Sequence, residues 1–254
     1  MSTLIKHSGD NLESDGWVIG TSTSGNRDGA RDGTGGTGFS VLATTNQTDN
    51  TAVQIIFDVG RGGGTYYFRR YFAVFDTSQI TSIHDVTSAK ISLFKSPTQA
   101  FATNGNIILV KSTAFGGDGN TPLHHSDKRA YPGYSAATTM LNNVTTYSNS
   151  TNFNVSNGYV DFTLNNDALN DIKNNAVLII MAVNYDHDYL YTNPSTSTHI
   201  TDNIRFDDYS GTNSDPKLTI EYNAPIVSPT YNNRANFIST ASGNINITSG
   251  KIII

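Results

Sequence analysis

The sequence predicts an all-β protein: a two-sheet, jelly-roll-like sandwich over residues 1–222, followed by a linker and a short extended C-terminal tail over residues 223–254. Three observations predict it. Strand-like alternation recurs from end to end, helical spacing occurs at one short segment, and charged residues make up only 15% of the 254 residues. The polar surface is therefore built from Ser, Thr, Asn and Gly. Ser, Thr and Asn compete with a helix for its own backbone hydrogen bonds, which favours strands and loops. A chain of this length buries a large core without staples.

Taken in order, residues 51–59 are the first expected strand. Residues 66–75 are apolar on both faces apart from Arg69 and Arg70, as a central strand covered on both sides would be. An arginine buried there needs a compensating carboxylate, for which Asp76, Asp207 and Asp208 are candidates. In residues 88–94, Ala89, Ile91 and Leu93 share one face while Lys90 and Ser92 take the other, the period of a half-buried strand. Residues 106–111 follow as a strand, and Val160, Phe162 and Leu164 alternate with Asp161 and Thr163. One helix is expected over 166–173, where Ala168, Leu169 and Ile172 approach helical spacing and Asn165 or Asn166 caps the start. Residues 176–183 are a second strand apolar on both faces. Residues 204–206 are a further strand, and Leu218, Ile220 and Tyr222 alternate with Lys217, Thr219 and Glu221 in the last. Residues 20–40, 116–135 and 191–202 are expected as long loops, a length that marks mobility or function.

After Tyr222 the pattern changes, because Pro225 and Pro229 break strand pairing. Beyond this linker, Ile245, Ile247, Ile252, Ile253 and Ile254 form an apolar, strand-prone segment too short to fold alone. Such a segment needs a partner strand, so these five residues are the candidate assembly residues.

Three segments resemble the DNRLRE-type jelly-roll family. Tyr67-Phe68-Arg69-Arg70-Tyr71-Phe72-Ala73-Val74-Phe75-Asp76 is similar to that family's Arg-led strand ending in Phe-Asp. Thr87-Ser88-Ala89-Lys90-Ile91-Ser92-Leu93-Phe94 is similar to its Ser-Ala-x-Leu-x-Leu strand. Phe206-Asp207-Asp208-Tyr209, followed by Asp215-Pro216-Lys217-Leu218-Thr219-Ile220-Glu221-Tyr222, is similar to its closing strand. The resemblance spans about residues 10–222 and departs from the family's Trp-Thr-rich middle section, since Trp17 is the only tryptophan. It implies a jelly-roll fold and a role in adhesion or display, as in bacterial surface proteins and phage virion proteins, and not catalysis.

Several chemistries lack their sequence signals. A net charge of −5 offers no basic stripe for phosphates, so nucleic acid is not an expected partner. The absence of cysteine removes thiol catalysis and disulfides. No stretch has the roughly 18 apolar residues of a membrane span, and the first residues lack a secretion signal, so synthesis in a host cytoplasm is expected. No nucleophile elbow, zinc-binding helix or phosphate loop is present, so no catalytic residue is nominated and an enzyme is not expected. His124 and His125, with Asp118 and Asp127, are the right residue types for a metal, but neighbouring histidines on an extended chain point to opposite sides. Asp186, Asp188, Asp207 and Asp208 are the densest acidic positions and the candidate ligands of a structural Ca²⁺; no other cofactor is expected. Tyr185, Tyr189 and Tyr191, with Tyr131 and Tyr134, are candidates for stacking on sugar rings. The functional expectation is a virion structural protein, a phage capsid decoration or fibre component that meets other virion proteins or its own copies through its tail. The alternative is a carbohydrate-binding or adhesive module that meets a host-surface glycan.

Overall fold

The computed structural model describes residues 1–8, 15–22, 25–32, 39–45, 53–58, 64–95, 105–130, 132, 141, 143–153, 158–193, 199–202, 204–205 and 215–224. In chain order these form β1 (Ser2–His7), β2 (Asp15–Ser22), α1 (Arg27–Asp32), β3 (Phe39–Thr45), β4 (Val53–Asp58), β5 (Thr65–Asp76), β6 (Asp85–Lys95) and β7 (Asn106–Lys111). There follow β8 (Thr151–Asn152), β9 (Gly158–Thr163), α2 (Asn166–Asn174), β10 (Val177–Asn184), β11 (His199–Asp202), β12 (Ile204–Arg205) and β13 (Lys217–Asn223). The strands pair antiparallel in two sheets. One has five strands in the order β1-β13-β6-β12, with β9 also on β6. The other has eight, ordered β11-β4-β5-β10-β7-β8, with β2 on β5 and β3 on β2.

The two sheets pack face to face because each strand keeps its apolar residues in phase. Ala89, Ile91 and Leu93 of β6, Val160 and Phe162 of β9, and Leu218 and Ile220 of β13 point inward from the smaller sheet. They meet Trp17, Tyr71, Ala73, Phe75, Leu178 and Ile180 of the larger one. Helix α2 closes one side with buried Ala168 and Ile172. Of the two candidate caps it is Asn165 that serves, its Oδ1 accepting from the Ala168 amide at 3.2 Å.

The eight-stranded sheet is covered on its other face as well. Val18, Phe72, Val74, Ile108, Val110, Ile179, Met181 and Val183 face a second core, roofed by Ala114, Phe115, Leu123, Leu141 and Val144. This is why β5 and β10 read as apolar on both faces: Phe72, Ala73, Val74 and Phe75 are all fully buried. Each of the buried valine and phenylalanine side chains contributes roughly 1.5–3 kcal/mol.

The N-terminal region departs from the expected long loop over 20–40. β2 runs to Ser22, α1 occupies Arg27–Asp32 and β3 begins at Phe39, so the chain has a second helix. A helix of six residues does not persist on its own; α1 forms because Asn26 Oδ1 accepts from the Gly29 amide at 2.9 Å and because its two arginines are tied down elsewhere. β1 also escaped the sequence reading, since Lys6 occupies an inward position beside Leu4, where it is buried and pairs with Asp76 at 3.2 Å. The described part of the loop over 116–130 is shaped by two 3-10 turns, at Phe115–Gly117 and His125–Arg129.

Candidate functional site

Five of the residues singled out in the sequence, Tyr185, Asp186, Asp188, Tyr189 and Tyr191, follow directly after β10. Asn184 Oδ1 accepts from the His187 amide at 2.8 Å and starts a π-helical turn over Tyr185–Tyr189. This wide turn sends Asp188 into the protein and leaves Tyr185 and Tyr189 half-buried at the surface.

Asp188 is fully buried. Its Oδ1 accepts from Arg31 Nε at 3.0 Å and Arg70 Nη2 at 2.7 Å, and its Oδ2 from Arg70 Nε at 2.7 Å. Arg31 also reaches the Asp188 carbonyl from Nε at 3.0 Å. Arg70 Nη1 donates to the Lys128 carbonyl, and Lys128 Nζ to the Phe68 carbonyl at 2.7 Å. Burial alone raises a carboxyl pKa. Here Arg70, then Arg31 and Lys128, outweigh burial and lower the Asp188 carboxyl to about 2. Arg70 therefore is the buried arginine expected in β5, but its carboxylate is Asp188 and not one of the candidates Asp76, Asp207 and Asp208. Asp76 instead joins Lys6 across the sheets, and Asp207 and Asp208 lie outside the described residues.

Gly20 makes this packing fit. A Cβ there would lie 2.1 Å from the Ala30 carbonyl oxygen and 2.5 Å from Lys128 Nζ, so β2 presents bare backbone where α1 and the buried ammonium crowd in.

Helix α1 clamps the segment that follows the turn. Arg27 donates to Asn193 Oδ1 at 2.6 Å, the Thr192 carbonyl at 2.8 Å and the His187 carbonyl at 2.9 Å. The guanidinium carbons of Arg27 and Arg31 sit 4.1 and 4.9 Å from the Tyr191 ring centre, within cation–π range. Tyr191 takes a left-handed backbone (φ 59°) and donates from its hydroxyl to Asp28 Oδ1 at 2.6 Å. Burial, then the Asp28 hydrogen bond and charge, raise its pKa above the usual tyrosine range.

The three candidate glycan-contact tyrosines thus separate. Tyr191 is locked beneath two guanidiniums, while Tyr185 and Tyr189 stack on each other, ring centres 5.5 Å apart and 14° from coplanar, over the second core. Tyr131 and Tyr134 lie outside the described residues. So do the assembly candidates Ile245, Ile247, Ile252, Ile253 and Ile254.

Of the acidic candidates, Asp188 has its charge met by two arginines, which supply the positive charge a calcium ion would bring. Asp186 is half-buried, its carbonyl accepting from the Thr192 amide at 2.9 Å. Among the described residues, no group of three His, Asp or Glu side chains gathers to hold a metal. His124 and His125 do not diverge as an extended chain would make them: their ring centres are 3.8 Å apart, because His124 caps the 3-10 turn that His125 opens. His124 Nδ1 accepts from the Ser126 amide and Asp127 Oδ2 accepts from the His124 amide at 2.9 Å, so both side chains serve the cap.

A concavity of about 350 Å³ lies where the β5–β6 and α2–β10 connections meet, lined by Ser78, Thr81, Ser82, Lys173, Asn174 and Asn175 among others. Its hydroxyls, amides and ammonium offer hydrogen bonds to a polar ligand.

Compared with known proteins, the chain matches no protein-family model and no curated protein sequence.

Proposed function

We propose that this protein is a virion structural protein, a capsid decoration or fibre component of a phage-like particle, displayed outward and attached or oligomerised through its C-terminal tail. The observation that supports this reading is where the tail is rooted. β13 ends at Asn223, and its Tyr222 lies opposite Ser2 of β1, so the chain leaves the sandwich beside the edge of the five-stranded sheet and not from within either core. The apolar isoleucines of the 245–254 segment follow this exit point in the sequence. A surface of hydroxyls and amides suits repeated display on a particle. Many copies compensate for modest affinity per subunit.

The test is the solution mass of the full chain and of a chain stopped at Asn223, by light scattering coupled to size exclusion. The reading expects a defined oligomer from the first and a folded monomer from the second. Two folded species of equal subunit number would exclude self-assembly through the tail.

A second reading, a carbohydrate-binding or adhesive module, is favoured by the Tyr185–Tyr189 stack, a flat aromatic pair at the surface of the type that packs on sugar rings. It expects saturable glycan affinity that Tyr189→Ala abolishes.

A further inference from the structure

We propose that the concavity between the β5–β6 and α2–β10 connections binds an acidic sugar, a uronic-acid unit whose carboxylate pairs with Lys173 and whose hydroxyls bond to Ser82, Asn174 and Asn175. The site is separate from the Tyr185–Tyr189 pair and from the tail, and depends on neither.

Its walls are fixed before any ligand arrives. Thr77 donates from its amide to the Ala176 carbonyl and from its hydroxyl to the Asn175 carbonyl, each at 2.8 Å, which ties the two connections together. Within the first connection the Ile80 amide reaches the Thr77 carbonyl at 2.8 Å, and the Thr81 amide donates to His84 Nδ1 at 3.0 Å. A site already ordered in this way loses little affinity to ordering itself. Its volume of about 350 Å³ lies at the lower end of the roughly 300–1,000 Å³ of small-molecule sites.

The charge comes from Lys173. The two carboxylates hydrogen-bonded to the lining already have lysines. Asp76 Oδ1 accepts from the Ser78 amide at 2.9 Å, and its Oδ2 pairs with Lys6 at 3.2 Å. Asp171 Oδ1 accepts from Asn175 Nδ2 at 3.1 Å, and its Oδ2 pairs with Lys111 at 2.7 Å. Asp85, which opens β6, accepts from Asn223 Nδ2 at 3.1 Å. On its own helix, Lys173 has Asn170 and Leu169 three and four positions earlier. Among the described residues its ammonium has no hydrogen-bond or ion-pair partner. One positive charge is left over, and it faces a concavity.

The class of anion follows from the remaining groups. The C-terminal end of α2 is part of the lining, and its partial negative charge opposes a dianion such as phosphate. No arginine lines the concavity to hold phosphate bidentately, whereas one carboxylate suits one ammonium. Asn174 and Asn175 donate from Nδ2 to the Asn170 and Asp171 carbonyls at 2.8 and 3.1 Å. Their side-chain oxygens are left to accept from hydroxyls, and Ser82 can both donate and accept. Ile80 and Ala176 supply an apolar lining for the C–H face of a ring.

The test is a titration of the full chain by ligand-observed NMR with D-galacturonate, D-galactose and acetate. Galacturonate is expected to bind saturably. Galactose and acetate, each lacking one half of the contacts, are expected to bind at least about tenfold more weakly. Lys173→Gln is expected to reduce galacturonate to the level of galactose, with a melting temperature within about 2 °C of wild type. Ser82→Trp, at an exposed turn position, is expected to abolish binding by filling the concavity, and it carries the test should Lys173→Gln melt early. Tyr189→Ala is expected to leave galacturonate binding unchanged, which separates this site from the aromatic pair. A lysine serving only the end of α2 would, when replaced, lower the melting temperature and leave the affinity as it was; that result overturns the site. So does binding lost in Tyr189→Ala and kept in Lys173→Gln, or a wild type without saturable binding. Equal affinities for acetate and galacturonate overturn the sugar.

Discussion

Asp188 is a fully buried carboxylate held by two buried arginines, Arg31 and Arg70. Removing one member of a buried ion pair leaves an uncompensated charge and costs about 3–5 kcal/mol. Asp188→Asn is therefore expected to lower the melting temperature by roughly 10 °C in a chain of this size. Asp186→Asn, two residues earlier in the same turn and half-buried, is expected to change it by under about 2 °C. The pH dependence has a defined sign. The Asp188 carboxyl lies at about 2 in the folded protein and near 3.9 when unfolded, so its contribution is complete above the unfolded value. It fades as pH falls from about 4 through 2, and an acid titration of wild type followed by circular dichroism should lose stability over that window. Gly20→Ala tests the same packing from the other side. Its added methyl meets the Ala30 backbone at 2.1 Å, which cannot swing away as a side-chain tip does, so a thermal melt should show a loss of about 1–3 kcal/mol. That Arg70 must be buried and paired was legible from its place in an aromatic strand. The identity of the partner was not, because 118 residues separate it from Asp188, and a carboxylate in a loop gives no sign that its turn aims it inward.

At the level of elements, α1 and the turn after β10 depend on each other. Residues 20–40 read as loop because Gly and polar residues dominate there, yet Arg27 and Arg31 stand four apart, which puts both guanidiniums on one helical face. That spacing was the available signal, and only contact with Asp188, Tyr191 and the carbonyls of residues 187 and 192 turns it into structure. α2, by contrast, was legible to within a residue, since its cap, apolar spacing and length are all local. The mutual dependence makes a prediction. Arg27→Ala removes three hydrogen bonds to residues 187–193 while leaving both cores intact. The amides of Leu190 and Thr192, now bonded to the Tyr185 and Asp186 carbonyls, are expected to exchange at least about tenfold faster, the equivalent of about 1.4 kcal/mol of local opening. Exchange in β10 should not change. Acceleration across β10 as well would mean that the clamp supports the sheet and not the turn alone.

For the whole molecule, the two sheets are unequal. The five-stranded sheet buries one face and exposes the other, where Lys90 and Asp161 pair at 2.6 Å with nearly half of each side chain exposed, an arrangement worth little in water. The eight-stranded sheet buries both faces at its centre. Period-two alternation made the sandwich legible, but it speaks only of which residues face inward. It says nothing of which strands meet, and here residues 2–7 pair with 217–222, a closure no local pattern announces. The doubly apolar runs did disclose which strands are central, and the order of local stability follows from that position. β5 is flanked by β2 on one side and by β4 and β10 on the other, and its backbone lies between two cores. Its amides, with those of β10, are expected to exchange only through global unfolding, and so to share one rate set by the stability of the fold. Those of β1, on a six-residue edge with one neighbour among the described residues, should exchange by local opening at lower free energy. Mass-resolved exchange of the full chain measures both. Equal protection of β1 and β5 would mean that the edge strand is integral to the global core and that its outer side is already covered.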